Sequence, residues 1–220
     1  MLSESALDVM REQMVADQLC ARNIFDSRVI DTMRRIPRHQ FVASQFRHLA
    51  YYDGPLPISD DQTISQPYVI ALMTQMMMLC GTERVLEIGT GSGYHTAILS
   101  DLAAHVYSLE QSTRLAHAAA DTLAFFGCDN VDLHIGDGSQ GLADMAPYDA
   151  IVVSGAVPEV PAPLLGQLAD GGRLVIPVGD EAEQCLRVIT RRHDRYYTET
   201  LMEVCFVPLS GRYGFTDVSA

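Results

Sequence analysis

The chain has 220 residues, 48% of them hydrophobic, and a formal net charge of −13. That is enough apolar material for one α/β core with modest extensions, and the acidic balance would repel a phosphate backbone, so nucleic acid is not an expected partner. No uncharged apolar run approaches the roughly 18 residues of a membrane span, and the first fifteen residues include Glu4, Asp8, Arg11 and Glu12 rather than a basic-then-apolar leader. Five widely spaced cysteines (Cys20, Cys80, Cys128, Cys185, Cys205), free of metal-ligand spacing, suit a reducing cytoplasm. All fifteen basic residues are arginines, a bias with no physical account in the sequence.

In chain order, Ala6, Val9, Met10, Met14 and Leu19 recur at helical spacing over residues 6–22, and a second helix is expected over Ser27–Arg35, stopped by Pro37. Asp53-Gly-Pro-Leu-Pro57 and Ser59-Asp-Asp61 lead as an extended loop into Gln62-Thr-Ile-Ser-Gln-Pro67. Pro67 suits a first helical turn, and the Met-rich run Val69–Leu79 reads as mostly buried helix, with Met73, Met76, Met77 and Met78 as adaptable core. From Arg84 onward β-branched runs alternate with helical stretches, the pattern of a doubly wound parallel sheet with helices on both faces. Strands are expected at Arg84–Ile88, His105–Leu109, Val131–His134, Ala150–Val153 and Arg173–Pro177, with helices at Tyr94–Leu102, Ser112–Phe125 and Ala162–Leu168. Gln184–Arg191 and Tyr196–Val207, joined by a turn at 192–194, read as a terminal hairpin on the sheet edge. The whole, residues 1–220, reads as a single domain: helices and an active-site loop over 1–80, and an α/β core with the hairpin over 81–220. No heptad or added dimerisation segment is visible, so a monomer is expected.

Val85-Leu-Glu-Ile-Gly-Thr-Gly-Ser-Gly93 is an apolar strand ending in three alternating glycines ahead of a helix. Gly89 and Gly91 let backbone approach a ligand closely, but the spacing G-x-G-x-G is not the G-x-G-x-x-G that seats a pyrophosphate. Glu110 ends the next strand, where a carboxylate can accept both hydroxyls of a ribose; Gly136-Asp137-Gly138 ends the third, where Asp137 can accept from an adenine amino group beside Gly138. Taken singly, Glu110 could be a solvated helix-start residue and Asp137 an ordinary turn; together, in this order, they point to a nucleoside. Glu87 either contacts the ligand's amino group, through water or glycine backbone, or ties neighbouring strand ends. The seven histidines show no paired spacing with Asp, Glu or Cys, so no metal is expected.

With these segments in place, the chain resembles the protein-L-isoaspartate (D-aspartate) O-methyltransferase family from about Met14 to Gly214. The resemblance is carried by Gln62-Thr-Ile-Ser-Gln-Pro67, the Val85–Tyr94 loop, Gly136-Asp-Gly138, Ala146-Pro-Tyr-Asp-Ala-Ile151, Pro158-Glu-Val-Pro161, Gly171–Gly179 and Phe206-Val-Pro-Leu209. The glycine loop is common to many methyltransferases; Thr-Ile-Ser-Gln-Pro with the final Val-Pro-Leu is far more specific. The resemblance implies a class I S-adenosylmethionine-dependent fold, Rossmann-like, with a seven-stranded mostly parallel sheet, an antiparallel C-terminal hairpin strand and an N-terminal helical extension. It also implies Ser65 as the active-site serine, and cofactor contacts from Thr63, Ile64, Ile70, Gly89, Gly91, Glu110, Asp137, Gly138 and Ser210. Three departures stand out: the family usually has glycines in the loop Ile58–Asp61, commonly an arginine where Cys205 stands, and Thr-Ala-Ala or Gly-Ala-Ala where Ser154-Gly155-Ala156 stands, the last a change small enough that the pocket is expected to survive.

The implied substrate is the free α-carboxylate of an L-isoaspartyl residue in an aged protein, methylated to an ester that closes to a succinimide and reopens partly as aspartate. A carboxylate with a pKa of about 3.5 is already the nucleophile at neutral pH, so placement suffices and no catalytic base is needed. Ser65 would orient that carboxylate, unless it serves only as the N-cap of the Pro67 helix. The peptide would lie across the crevice mouth along Pro57 and Ile58, with Val160 and Pro161 pairing by backbone or forming a plain proline turn. Rival readings are a relative acting on another peptide or small-molecule carboxylate and a cofactor-binding module without turnover.

Overall fold

The computed structural model describes residues 2–180 and 182–215, so the ends of the expected domain, residue 1 and residues 216–220, lie outside the described residues. Helix α1 (Glu4–Gln13) starts at Ser3, whose hydroxyl accepts from the Ala6 N–H. The chain does not continue as one α-helix to residue 22: it widens into a π-helical turn at Met14–Leu19 and tightens into a 3-10 turn at Cys20–Arg22, ending on left-handed Asn23. Met14, Val15 and Leu19 are thereby all turned inward. Helix α2 (Ser27–Arg35) is capped by Asp26 and finishes at Ile36, whose backbone is extended ahead of Pro37.

Residues 53–64 hold more order than an extended loop: β1 (Leu56–Pro57) and β2 (Thr63–Ile64) pair antiparallel, Leu56 opposite Ile64 and Pro57 opposite Thr63. Helix α3 (Pro67–Met77) begins with Pro67 in its first turn and stops two residues before Leu79, at left-handed Met78. Met73 and Met77 are core as expected, whereas Met78 is 59% exposed because that reversal turns it out.

The main sheet runs β5-β4-β3-β6-β7-β8-β9. Strands β3 (Arg84–Ile88), β4 (His105–Glu110), β5 (Val131–Ile135), β6 (Tyr148–Val153) and β7 (Leu168–Gly179) are parallel, and β8 (Gln184–Arg192) and β9 (Arg195–Val204) add antiparallel. Helices α4 (Tyr94–Leu102), α5 (Thr113–Phe125) and α6 (Ala162–Gly166) cross between them. Leu168, expected to end a helix, instead opens β7. It pairs with Tyr148, the register then slips by several residues through left-handed Gly171, and pairing resumes at Ala150 opposite Arg173.

One face of the sheet packs α1 to α5 through Val85, Val106, Val152 and Val175; the other packs α6 through Leu86, Ile88, Ile151 and Leu174. Strand order reverses between β3 and β6, since the chain builds β4 and β5 outward and then returns to the far side of β3. In open α/β sheets a ligand crevice opens at the carboxyl ends beside such a reversal. After β9 the chain crosses back to that place: the Ala156 N–H donates to the Val207 carbonyl at 2.9 Å and the Leu209 N–H to the Ala156 carbonyl at 2.8 Å.

Candidate active site

Beyond Ile88, the carboxyl end of β3, the backbone passes through left-handed Gly89, Gly91 and Gly93. At Gly91 this conformation aims its N–H at Glu110 Oε2, 2.9 Å away; Glu110 Oε1 accepts from the Ser112 N–H at 2.9 Å. Each oxygen thus spends one lone pair on backbone and keeps another for a ligand. Glu110 is only 8% exposed, and it lines both of two adjoining hollows. One hollow is bounded by Thr63, Ile64, Ile70, Gly89, Gly91 and Tyr94, the other by Ile88, Leu109, Gly138, Leu209 and Ser210. At Gly138 a side chain is forbidden by space: a Cβ there would collide with the Cγ2 of Ile88.

A third hollow opens beside these, bounded by Pro55, Ser65, Gln66, Val69, Cys205 and Phe206. Ser65 borders it and the first hollow alike. The N-cap of α3 is Gln66, without a side-chain cap bond, so the helix-capping reading of Ser65 is not what the backbone adopts. Ser154, at the end of β6, borders all three hollows. The sequence marks it only as part of a departure from the family pattern and not as a site residue; its signal is its place just after the strand flanking the reversal.

Several expected residues lie elsewhere. Glu87 is fully buried, and its Oε2 accepts from Thr96 Oγ1 and Ser108 Oγ, both at 2.6 Å. It ties β3 to β4 and α4 and faces no ligand space. Burial pushes its carboxyl up to about 7, against the pull of the Ser108 and Thr96 hydroxyls and with a push from the Glu110 charge. Asp137 Oδ1 accepts from the Ser139 N–H and hydroxyl, at 2.9 and 2.7 Å. Its Oδ2 accepts from Gln140 Nε2 and the Arg212 N–H, both at 2.9 Å. Partial burial raises its pKa, but these bonds outweigh burial and hold it below the usual carboxylate range. Its carboxylate is spent on protein donors, so Gly138 and Ser210 face the hollow in its stead. Pro57 is paired with Thr63 in the small sheet, and Ile58 Cδ1 lies beside Gly91. Val160 packs into the core on the opposite face and Pro161 caps α6, because the chain turns away from the crevice once Val157 has bridged to Val178. Neither Val160 nor Pro161 borders any of the three hollows.

The glycine-poor loop keeps a glycine-like shape: Asp60 and Asp61 adopt φ of 58° and 54°. Asp60 reaches across the crevice mouth to the Ser112 hydroxyl and the Arg114 guanidinium at the start of α5. No arginine lines any of the three hollows. No set of three His, Cys, Asp or Glu side chains able to hold a metal occurs among the described residues.

A seven-stranded sheet of this order, with a glycine turn and an acidic strand end at its reversal point, defines a class I S-adenosylmethionine-dependent methyltransferase. The hollows fit that cofactor: Glu110 offers acceptors for a ribose diol, and the missing Cβ at Gly138 leaves room for a flat ring. The model of the family Protein-L-isoaspartate(D-aspartate) O-methyltransferase matches residues 10–214, and the chain belongs to that family. A protein-L-isoaspartate O-methyltransferase of Methanoculleus marisnigri is 50% identical over 205 residues, covering 93% of each chain. One from Roseiflexus castenholzii is 52% identical over 200 residues, 91% of this chain and 92% of its own. Among solved structures, a protein-L-isoaspartate O-methyltransferase aligns with TM-score 0.84 at 28% identity, over 93% of this chain and 67% of its own. A Plasmodium falciparum structure of the same description, in complex with S-adenosyl-L-homocysteine, aligns with TM-score 0.79 at 25% identity, over 91% and 98%.

Proposed function

We propose that this chain methylates the free α-carboxylate of L-isoaspartyl residues in damaged proteins, with Ser65 orienting the acceptor, and that it does so as a single-domain monomer in the cytoplasm. The observation that carries the reading is the position of Ser65 on the shared wall of the nucleoside hollow and the apolar groove beside it. Its hydroxyl makes no hydrogen bond among the described residues, which leaves it free to donate to a carboxylate. Bound S-adenosylmethionine supplies the activated methyl group on a sulfonium.

The chain's own part is placement. Glu110 accepts from the ribose, Gly89 and Gly91 allow close backbone approach, and Thr63, Ile64 and Ile70 wall the ligand off from water. Gly138 and Ser210 border the ring end. A carboxylate acceptor needs no proton removed, and no base is hydrogen-bonded to Ser65 among the described residues; His95 in the first hollow is buried, which lowers its pKa to about 4 and makes it a weak base, while Glu203 borders the groove. With no arginine lining the groove and Glu203 on its wall, the sulfonium is the charge partner that draws an acceptor anion toward the methyl donor.

No helix among the described residues is long and apolar enough to cross a membrane, which agrees with action on dissolved proteins. The test is methyl incorporation into two peptides differing only by an isoaspartyl or aspartyl linkage. Incorporation into the isoaspartyl peptide alone supports the reading; equal incorporation, or none, overturns it. A Ser65→Ala variant that kept the wild-type kcat would remove the serine's role.

A further inference from the structure

Ser65 stands between two residues that are each held from the N-terminal region. On its amino side, Arg38 is fully buried and donates from Nε to the Ala50 carbonyl at 2.8 Å and from Nη2 to the Ile64 carbonyl at 3.5 Å. On its carboxyl side, Gln66 Nε2 donates to Asp53 Oδ1 at 2.7 Å, and Asp53 Oδ2 accepts from Arg22 Nη1 at 2.6 Å. The Arg22 guanidinium also lies over the Tyr68 ring, 3.8 Å from its centre. Asp53 and Arg22 are therefore joined to the residues one and three places after Ser65, and neither borders the nucleoside hollows.

We propose that Asp53, braced by Arg22, is a positioning residue for the acceptor site, which fixes Ser65 through Gln66 and gives the N-terminal helices a share in the chemistry. Helix α3 starts with a proline and no side-chain cap, so within the helix only the Ile70 N–H, donating to the Gln66 carbonyl at 3.1 Å, holds its N-cap residue, and the Gln66 side chain is left to partners outside. The carboxylate of Asp53 supplies that orientation from outside: it is acceptor-only, and its two oxygens take one donor each from Gln66 and Arg22. A rotation of Gln66 would carry Ser65 with it, since the two share a peptide plane. Displacements of about 1 Å at an orienting group cost up to about a hundredfold in rate. The proposal rests on the reading of Ser65 given above.

The test compares Asp53→Ala, Asp53→Asn, Ser65→Ala and the double variant Asp53→Ala/Ser65→Ala, measuring kcat and KM on an isoaspartyl peptide and the Kd of S-adenosylhomocysteine. Asp53→Ala is expected to lower kcat about tenfold, with the Kd within twofold of wild type. Asp53→Asn should recover part of the loss, because its carbonyl can still accept from Arg22 while its amide donates to a turned-over Gln66. In the double variant the Asp53 substitution should add nothing to the loss caused by Ser65→Ala. Losses that multiply in the double variant, or a Kd that weakens in step with kcat, would overturn the proposal. If Ser65→Ala alone keeps the wild-type kcat, the serine reading falls and the proposal with it; if Ser65→Ala is slow and Asp53→Ala is not, the proposal alone falls.

Discussion

Replacing Glu110 with glutamine tests the nucleoside site at the atom that defines it. The wild-type carboxylate accepts the Gly91 and Ser112 N–H groups at 2.9 Å each and keeps one lone pair per oxygen for the ribose. In Glu110→Gln one oxygen becomes an NH2 group, which meets a backbone donor with another donor and offers the diol one acceptor where there were two. A hydrogen bond to a charged group is worth about 1.5–3 kcal/mol, and about 1.4 kcal/mol is a factor of ten. S-adenosylhomocysteine should bind about 10- to 100-fold more weakly by titration calorimetry. At saturating S-adenosylmethionine kcat should change much less, because Glu110 does not line the Ser65 groove. A Kd within twofold of wild type, or a kcat loss without a Kd loss, would refute the placement of the ribose.

Other expectations follow from the same geometry. Gly138→Ala forces a Cβ against Ile88, an overpacking of about 1–3 kcal/mol, and thermal melting should show a lower Tm together with weaker cofactor binding. Asp61→Gly removes a side chain from a left-handed position and should stabilise the fold by about 0.5–1 kcal/mol after the added chain entropy of glycine; urea unfolding reads this. For Glu87, folding raises the pKa from 4.5 to about 7, so the folded chain holds the extra proton between these values. The stability this group contributes is full below pH 4.5 and is lost as pH rises through 7. Glu87→Gln is neutral throughout, so its Tm relative to wild type should climb between pH 5 and pH 8, by the equivalent of at most about 3 kcal/mol. His95, lowered from 6.5 to about 4 by burial, acts in the opposite sense between pH 4 and 6.5 and is common to both proteins. A Tm difference independent of pH would contradict a raised Glu87.

What was legible in the sequence was whatever local period and punctuation encode. Arg84–Ile88, Ser27–Arg35 and Tyr94–Leu102 stand where apolar spacing, Pro37 and the three alternating glycines put them. Glu110 was readable for the same reason, being the last residue of a strand that follows a glycine turn. What was not legible depends on partners far along the chain. The Asp137 carboxylate takes three local donors from Ser139 and Gln140, and its fourth position is filled only because Arg212, 75 residues later, folds back onto it. Val160 and Pro161 border none of the three hollows: after the Val157–Val178 bridge, Val160 packs against the core of the opposite face and Pro161 caps α6. Glu87 alternates onto the side of β3 that α4 covers, where Thr96 and Ser108 receive it. Leu168 continues the apolar pattern of α6, yet sheet pairing with Tyr148 claims it. The loop that lacks the usual glycines still holds a left-handed backbone, carried by Asp60 and Asp61.

The most direct measurement is a crystal structure with S-adenosylhomocysteine and an isoaspartyl peptide bound. The account predicts the ribose hydroxyls on Glu110, the flat ring beside Gly138 and the acceptor carboxylate within hydrogen-bond reach of the Ser65 hydroxyl. A nucleoside lodged away from the β3–β6 reversal, or a peptide carboxylate remote from Ser65, would contradict it.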